Sequence, residues 1–93
     1  MSKLVLNFDK NNIQWCEEPK YNELLIMHHI EYFQEAIQHD GTILMKEVLK
    51  YFGYNPKDFN IEILTRYWND GSVDITYRKI GENEYKITFK TDN

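Results

Sequence analysis

The chain predicts an α+β domain, on three observations. Apolar residues alternate through Ile61, Ile63, Thr65, Tyr67, then Val73, Ile75, Tyr77, then Tyr85, Ile87, Phe89, with Asn69-Asp70-Gly71 and Gly81-Glu82-Asn83 between the runs. Residues 21–39 and 44–52 instead repeat apolar positions at three- and four-residue spacing, the period of a helix. A shorter alternating run, Leu4, Leu6, Phe8, precedes both. The expected order is ββααβββ: an N-terminal β-hairpin, two helices, and a C-terminal three-stranded antiparallel meander with the helices packed on one sheet face.

In the first hairpin, Asp9-Lys10-Asn11-Asn12 turns the chain from Phe8 into Ile13, Gln14, Trp15 and Cys16, setting Leu6 beside Trp15. Glu17-Glu18-Pro19 ends the extended run, and acidic residues with a proline favour a helix start. Through residues 21–39, Leu25, Ile26, Ile30, Phe33, Ala36 and Ile37 project onto one face, with Glu23, Glu31, Gln34, Glu35 and Gln38 opposite. Asp40-Gly41 closes this helix. Leu44, Met45, Val48, Leu49 and Phe52 then mark a second helix, stopped by Gly53 and Pro56.

The meander's register follows from charge. A two-residue loop at Asp70-Gly71 would set Arg66 among aliphatics. A three-residue loop with Gly71 in the left-handed region pairs Tyr67 with Val73 and Thr65 with Ile75, and on the other face Arg66 with Asp74 and Glu62 with Arg78. Opposite charges directly across a strand pair contribute about 0.2–1 kcal/mol each, whereas an unpaired buried guanidinium costs several. At the second turn, Tyr77 falls beside Ile87, Ile75 beside Phe89, Asp74 beside Lys90 and Thr76 beside Thr88. One face is apolar and the other is a ladder of mixed charge.

Ninety-three residues with 42% apolar and 28% charged content describe a single domain, residues 1–93. Eleven basic against fifteen acidic residues leave a net charge of −4, which disfavours nonspecific DNA binding. The lone Cys16 cannot close an internal disulfide, no apolar leader follows Met1, and no apolar run is long enough for a membrane span. A cytoplasmic location is the expectation.

No catalytic constellation emerges, so the chain reads as a non-enzyme without metal or cofactor. His28 and His29 point about 100° apart on a helix and His39 lies three turns on, so none has the i, i+4 spacing of a helical zinc site. His29, near the centre of the apolar face, reads as a boundary histidine with one hydrogen-bond partner. Cys16 reads as a structural thiol. Surface acids and aromatics are the remaining candidates for a partner-binding surface: Glu31 and Glu35 on the exposed helix face, Trp68 as an outward-facing anchor, and Asp70 and Asp74 nearby. Tyr51 and Tyr54 are weaker ones.

A second architecture shares much of this order. Helix 21–39, extended Thr42-Ile43, helix 44–52, a third helix over residues 56–63 and two strands around Asn69-Asp70-Gly71 is the succession of a winged-helix DNA-binding regulator. Its chemistry is unfavourable: the recognition helix would carry Asp58 and Glu62 beside Lys57, and the wing tip Asp70.

The segment Gly41-Thr42-Ile43-Leu44-Met45-Lys46-Glu47-Val48-Leu49-Lys50-Tyr51-Phe52-Gly53, followed by Trp68 and Val73-Asp74-Ile75, resembles a pattern in small uncharacterised accessory proteins of bacteriophages and mobile elements. That resemblance carries no catalytic residues. It implies a protein that binds a host protein, some such proteins inhibiting bacterial defence systems such as CRISPR nucleases. The expected partner is therefore a host protein, including a nucleic-acid-binding one whose cleft would accept carboxylates in place of phosphates. Direct nucleic-acid or membrane binding is not expected, and exposed sheet edges leave a homodimeric scaffold as a further alternative.

Overall fold

A computed structural model describes residues 2–69 and 71–93 of the chain. Strand β1 (Ser2–Phe8) leads to the long helix α1 (Pro19–Asp40), strand β2 (Thr42–Leu44) and helix α2 (Met45–Tyr51). A 3-10 turn (Pro56–Asp58) and the short helix α3 (Ile61–Leu64) precede strands β3 (Tyr67–Asn69), β4 (Asp74–Lys79) and β5 (Tyr85–Thr91). The fold is α+β, as its sequence predicts, with a three-stranded antiparallel sheet ordered β1-β5-β4 and a separate two-stranded sheet β2-β3.

The composition of the main sheet differs from the expectation in two places. No N-terminal hairpin forms: β1 pairs along its whole length with β5, from Ser2 opposite Thr91 to Phe8 opposite Tyr85. The physical reason lies in two asparagines. Buried Asn22 takes both backbone groups of Cys16, accepting from its N–H at 2.8 Å and donating to its carbonyl at 2.6 Å. Asn12 accepts from the Gln14 N–H at 2.8 Å and donates to the Phe52 carbonyl at 3.0 Å. Side-chain amides thus satisfy the groups that a second strand would have offered to a ladder.

The first strand of the meander is also absent. Asn60 caps α3 by accepting from the Ile63 N–H at 3.0 Å, and Thr65 Oγ1 returns a bond to the Ile61 carbonyl at 2.8 Å. Asn55 with Pro56 starts the preceding 3-10 turn in the same way. Capping chemistry overrides the alternation of Ile61 and Ile63, and Ile61 is left 73% exposed. Arg66 and Glu62 therefore do not lie across from Asp74 and Arg78; the neighbours of β4 come from β5 alone. The β4–β5 register is the expected one, with Asp74 opposite Lys90, Ile75 opposite Phe89, Thr76 opposite Thr88 and Tyr77 opposite Ile87. The winged-helix succession is matched in order, yet β3 pairs with β2 and β4 with β5, so among the described residues β3 and β4 do not pair as the two strands of a wing.

Both long helices fall where periodicity predicts. Gly41, at φ +76°, closes α1 by donating to the Ile37 carbonyl at 3.0 Å. Ile26, Phe33 and Ile37 on α1, with Val48, Leu49 and Phe52, pack against Phe8, Ile75, Ile87 and Phe89 in one core. Phe52 is its hub, edge-on to Phe89 at 5.5 Å and 6.4 Å from Phe33. Each such fully buried side chain contributes about 1.5–3 kcal/mol of apolar burial. Trp68, fully buried on β3, ties the small sheet to the large one by donating its indole N–H to the Lys90 carbonyl at 2.6 Å.

Candidate functional site

With β1 on the far side of β5, and no strand from residues 61–67 beside β4, the chemistry of the outer sheet face changes. Along β1, Leu4, Leu6 and Phe8 point to the core, so Lys3, Val5 and Asn7 point away from it. By the same alternation β5 turns out Lys86, Thr88 and Lys90, and β4 turns out Asp74, Thr76 and Arg78. In register, the outer face reads in three rows: Lys3, Lys90, Asp74; then Val5, Thr88, Thr76; then Asn7, Lys86, Arg78. Seven of these nine residues are exposed, and Lys86 and Thr88 on the central strand are half-buried. Among the described residues no element lies over them.

This face holds four cations against one carboxylate, on a chain whose net charge is −4. Two of its lateral pairs, Lys3 with Lys90 and Lys86 with Arg78, are like-charged neighbours. Such pairs are destabilising by tenths of a kcal/mol to about 1 kcal/mol. Asp74 relieves the first row, being the other neighbour of Lys90. Nothing relieves the third, where Lys86 has only Asn7 on its far side.

The acids lie elsewhere. Helix α1 carries Glu23, Glu31, Glu35 and Asp40 against Lys20, all exposed, on the layer that covers the opposite side of the sheet. Of the predicted site residues, Glu31 and Glu35 are thus together on α1, while Asp74 stands on the outer face among lysines. Asp70 lies outside the described residues. Trp68 is not a surface anchor: its strand belongs to the second sheet and its indole is sealed in the core. Tyr51 is partly exposed and stacks on Tyr32 at 4.5 Å, and Tyr54 donates its hydroxyl to the Asn7 carbonyl at 2.7 Å.

The cations of the outer face escape a reading that sets β4 against Glu62 and Arg66. Their signal is nonetheless present. Lys3 alternates with Leu4, and Lys86 and Lys90 alternate with Tyr85, Ile87 and Phe89, so pairing the first run with the last exposes the whole basic set.

Other concavities offer less. One of about 450 Å³ at the end of the sheet is lined by Asp9, Lys10, Trp15, Glu17, Asn83 and Glu84. Another of about 410 Å³ runs between α1 and the free edge of β4, lined by Met27, Ile30, Glu31, Ile75, Thr76 and Tyr77. His29 has Gln14 Oε1 2.9 Å from its Nε2 and meets Tyr51 and Phe52 edge-on, at 4.8 and 5.0 Å. Burial, and then the charge of His28, hold its pKa below the ordinary histidine value. Burial foremost, then its bond to Glu23, raises that of Tyr77. Among the described residues no group of three His, Cys, Asp or Glu side chains is arranged to hold a metal ion. Nor, among the described residues, is any helix long and apolar enough to cross a membrane. Comparison with known proteins returns nothing: no family model matches the chain, and no curated protein or solved structure matches it significantly.

Proposed function

We propose that this chain is a non-enzymatic binding module that recognises an acidic surface of a partner protein with the open face of its main sheet. The observation that carries the reading is the register, which gathers Lys3, Lys90, Lys86 and Arg78 on one uncovered face at a cost in stability. A fold that keeps like charges adjacent where a Thr or Glu would serve the sheet better has a reason outside the sheet. Lys86 and Lys90 stand about 13 Å apart along their strand, a footprint suited to a patch of carboxylates. A protein partner is favoured over nucleic acid because the whole chain is anionic. The net charge of −4 gives the chain no general attraction for a polyanion, while within a Debye length of about 8 Å the local cations act on a surface in contact with them. In the mobile-element setting that residues 41–53 resemble, the partner is a host protein, and blocking a defence nuclease is one outcome of such binding.

Photo-crosslinkers placed singly at Thr88, in the middle of this face, and at Glu35 on α1 test the reading in cells. Partner adducts from Thr88, lost when Lys86→Glu and Arg78→Glu are added, support it. Adducts confined to Glu35 refute it. They would favour a second reading, in which the exposed carboxylates Glu31 and Glu35 of α1 enter a cationic cleft of the kind that nucleic-acid-binding proteins own.

A further inference from the structure

We infer that a second copy of this chain docks on the free edge of β4, in an antiparallel two-fold pairing centred on Thr76. The inference does not rest on the partner proposed for the basic face, although Arg78 belongs to both surfaces, and Lys86→Glu alone perturbs that face without touching this pairing. Strand β4 pairs with β5 on one side only. Just before it, the open side is occupied by a side chain: Gln34 donates to the Val73 carbonyl and accepts from the Val73 N–H at 3.1 Å, mimicking a strand. Successive residues of a strand turn their backbone groups to opposite edges. The Ile80 N–H bonds the Glu84 carbonyl, on the β5 side, so the even-numbered residues face β5. Those of Tyr77 and Lys79 face the open edge, where no strand among the described residues pairs with them.

Charge selects the occupant and its register. A two-fold through Thr76 sets Thr76 opposite itself, Asp74 of each copy opposite Arg78 of the other, and Ile75 opposite Tyr77. Shifting the centre to Tyr77 sets Asp74 against Ile80, and a centre at Arg78 sets two guanidiniums face to face. Only the Thr76 centre satisfies both charges, and it does so twice. It also lets the Tyr77 N–H groups donate to Ile75 carbonyls across the axis. On the inner side, α1 runs antiparallel to β4, as the Tyr77–Glu23 and Val73–Gln34 bonds show. This brings the groove of about 410 Å³ beside the same axis, with Met27 on its wall and Leu24 flanking it, 40% and 47% exposed. Two copies would close the groove with each other's α1. The pairing would also join the two outer faces into one six-stranded surface.

Charge reversal tests this: Arg78→Asp gains a partner in Lys86, whereas Asp74→Arg gives up the pair with Lys90 within the sheet, so each variant is first shown to be folded by circular dichroism. The wild-type chain at about 100 μM, well above a micromolar Kd, should sediment as a dimer. Asp74→Arg and Arg78→Asp should each sediment as monomers, because each sets like charges across the axis. Mixed one to one, the two variants should re-form a dimer containing one copy of each. A Thr76→Cys variant in a Cys16→Ser background should oxidise to a covalent dimer, since directly opposite residues that do not share hydrogen bonds have Cα atoms about 4.5 Å apart, within disulfide reach. Asp74→Cys in that background should not. A monomeric wild type at this concentration overturns the inference. So does a dimer that survives both single reversals, which would place the contact elsewhere, or a failure of Thr76→Cys to crosslink while the chain remains folded.

Discussion

Replacing Lys86 by Glu should make the protein more stable and stop it binding, a combination expected only if the outer face is kept for a partner. Lys86 sits on the central strand with Arg78 on one side and Asn7 on the other. The change removes one like-charge pair and creates one opposite pair, each about 0.2–1 kcal/mol. Solvent exposure of Arg78 roughly halves the sum, leaving a gain of about 0.2–1 kcal/mol. For a domain of this size that raises Tm by about 1–8 °C. Lys90→Glu is the internal control, because Lys90 lies between Lys3 and Asp74: what it gains from the first it loses to the second, so its net effect should be near zero. Urea titrations at low salt measure both, with the Lys86→Glu gain shrinking as salt rises. Equal effects from the two substitutions, or a destabilising Lys86→Glu, would refute the account of the face. A stabilised variant that still binds its partner would refute its function.

Three further substitutions probe what positions that face. Trp68→Phe keeps an aromatic ring but loses the indole's bond to the Lys90 carbonyl and leaves a void, and should cost about 2–3 kcal/mol in denaturant unfolding. Gly53→Ala should cost at least about 2 kcal/mol, since φ is +90° and an added Cβ would meet Asn12 Oδ1 at 2.5 Å. A correctly folded Gly53→Ala protein with an unchanged urea midpoint would contradict this. His29 has its folded pKa held below the unfolded value of 6.5, so the unfolded chain binds the proton more readily. The stability it contributes is complete above pH 6.5 and declines as pH falls through the folded value. Between pH 7.5 and 5.5 the wild-type midpoint should therefore drop further than that of His29→Gln; parallel drops would dismiss the effect.

The helices and the β4–β5 ladder were legible because their signals are local and redundant. Ile26, Phe33 and Ile37 recur at helical spacing before Gly41, and Asp74 meets Lys90 whichever strand lies beyond. The rest was not legible for a reason that asparagine supplies. Asn22, Asn12 and Asn60 each satisfy backbone groups with a side-chain amide, at distances in sequence of six, two and three residues. Alternation of apolar residues registers none of this, so Ile13–Cys16 and Ile61–Thr65 both resemble strands. Trp68 was misplaced by the same step. Once residues 61–64 coil, β3 is left with only β2 to pair, and the indole turns inward.

The exchange of strands also explains why the outer face is basic where the sequence predicts a ladder of mixed charge. With a meander strand beside β4, Glu62 and Arg66 would have balanced Arg78 and Asp74, and the outer face would have been neutral. With β1 on the far side of β5 instead, no acid follows Lys86 into the sheet, and the balancing carboxylates sit on α1, one layer away. The three-stranded sheet therefore turns four of the eleven basic residues outward together, with four carboxylates of α1 on the layer behind it. An acidic chain that concentrates its cations this way gains contact specificity without becoming sticky toward polyanions at long range. The pairing across Thr76 would keep that arrangement, because Asp74 and Arg78 neutralise each other at the seam and leave Lys3, Lys86 and Lys90 of both copies on one continuous face.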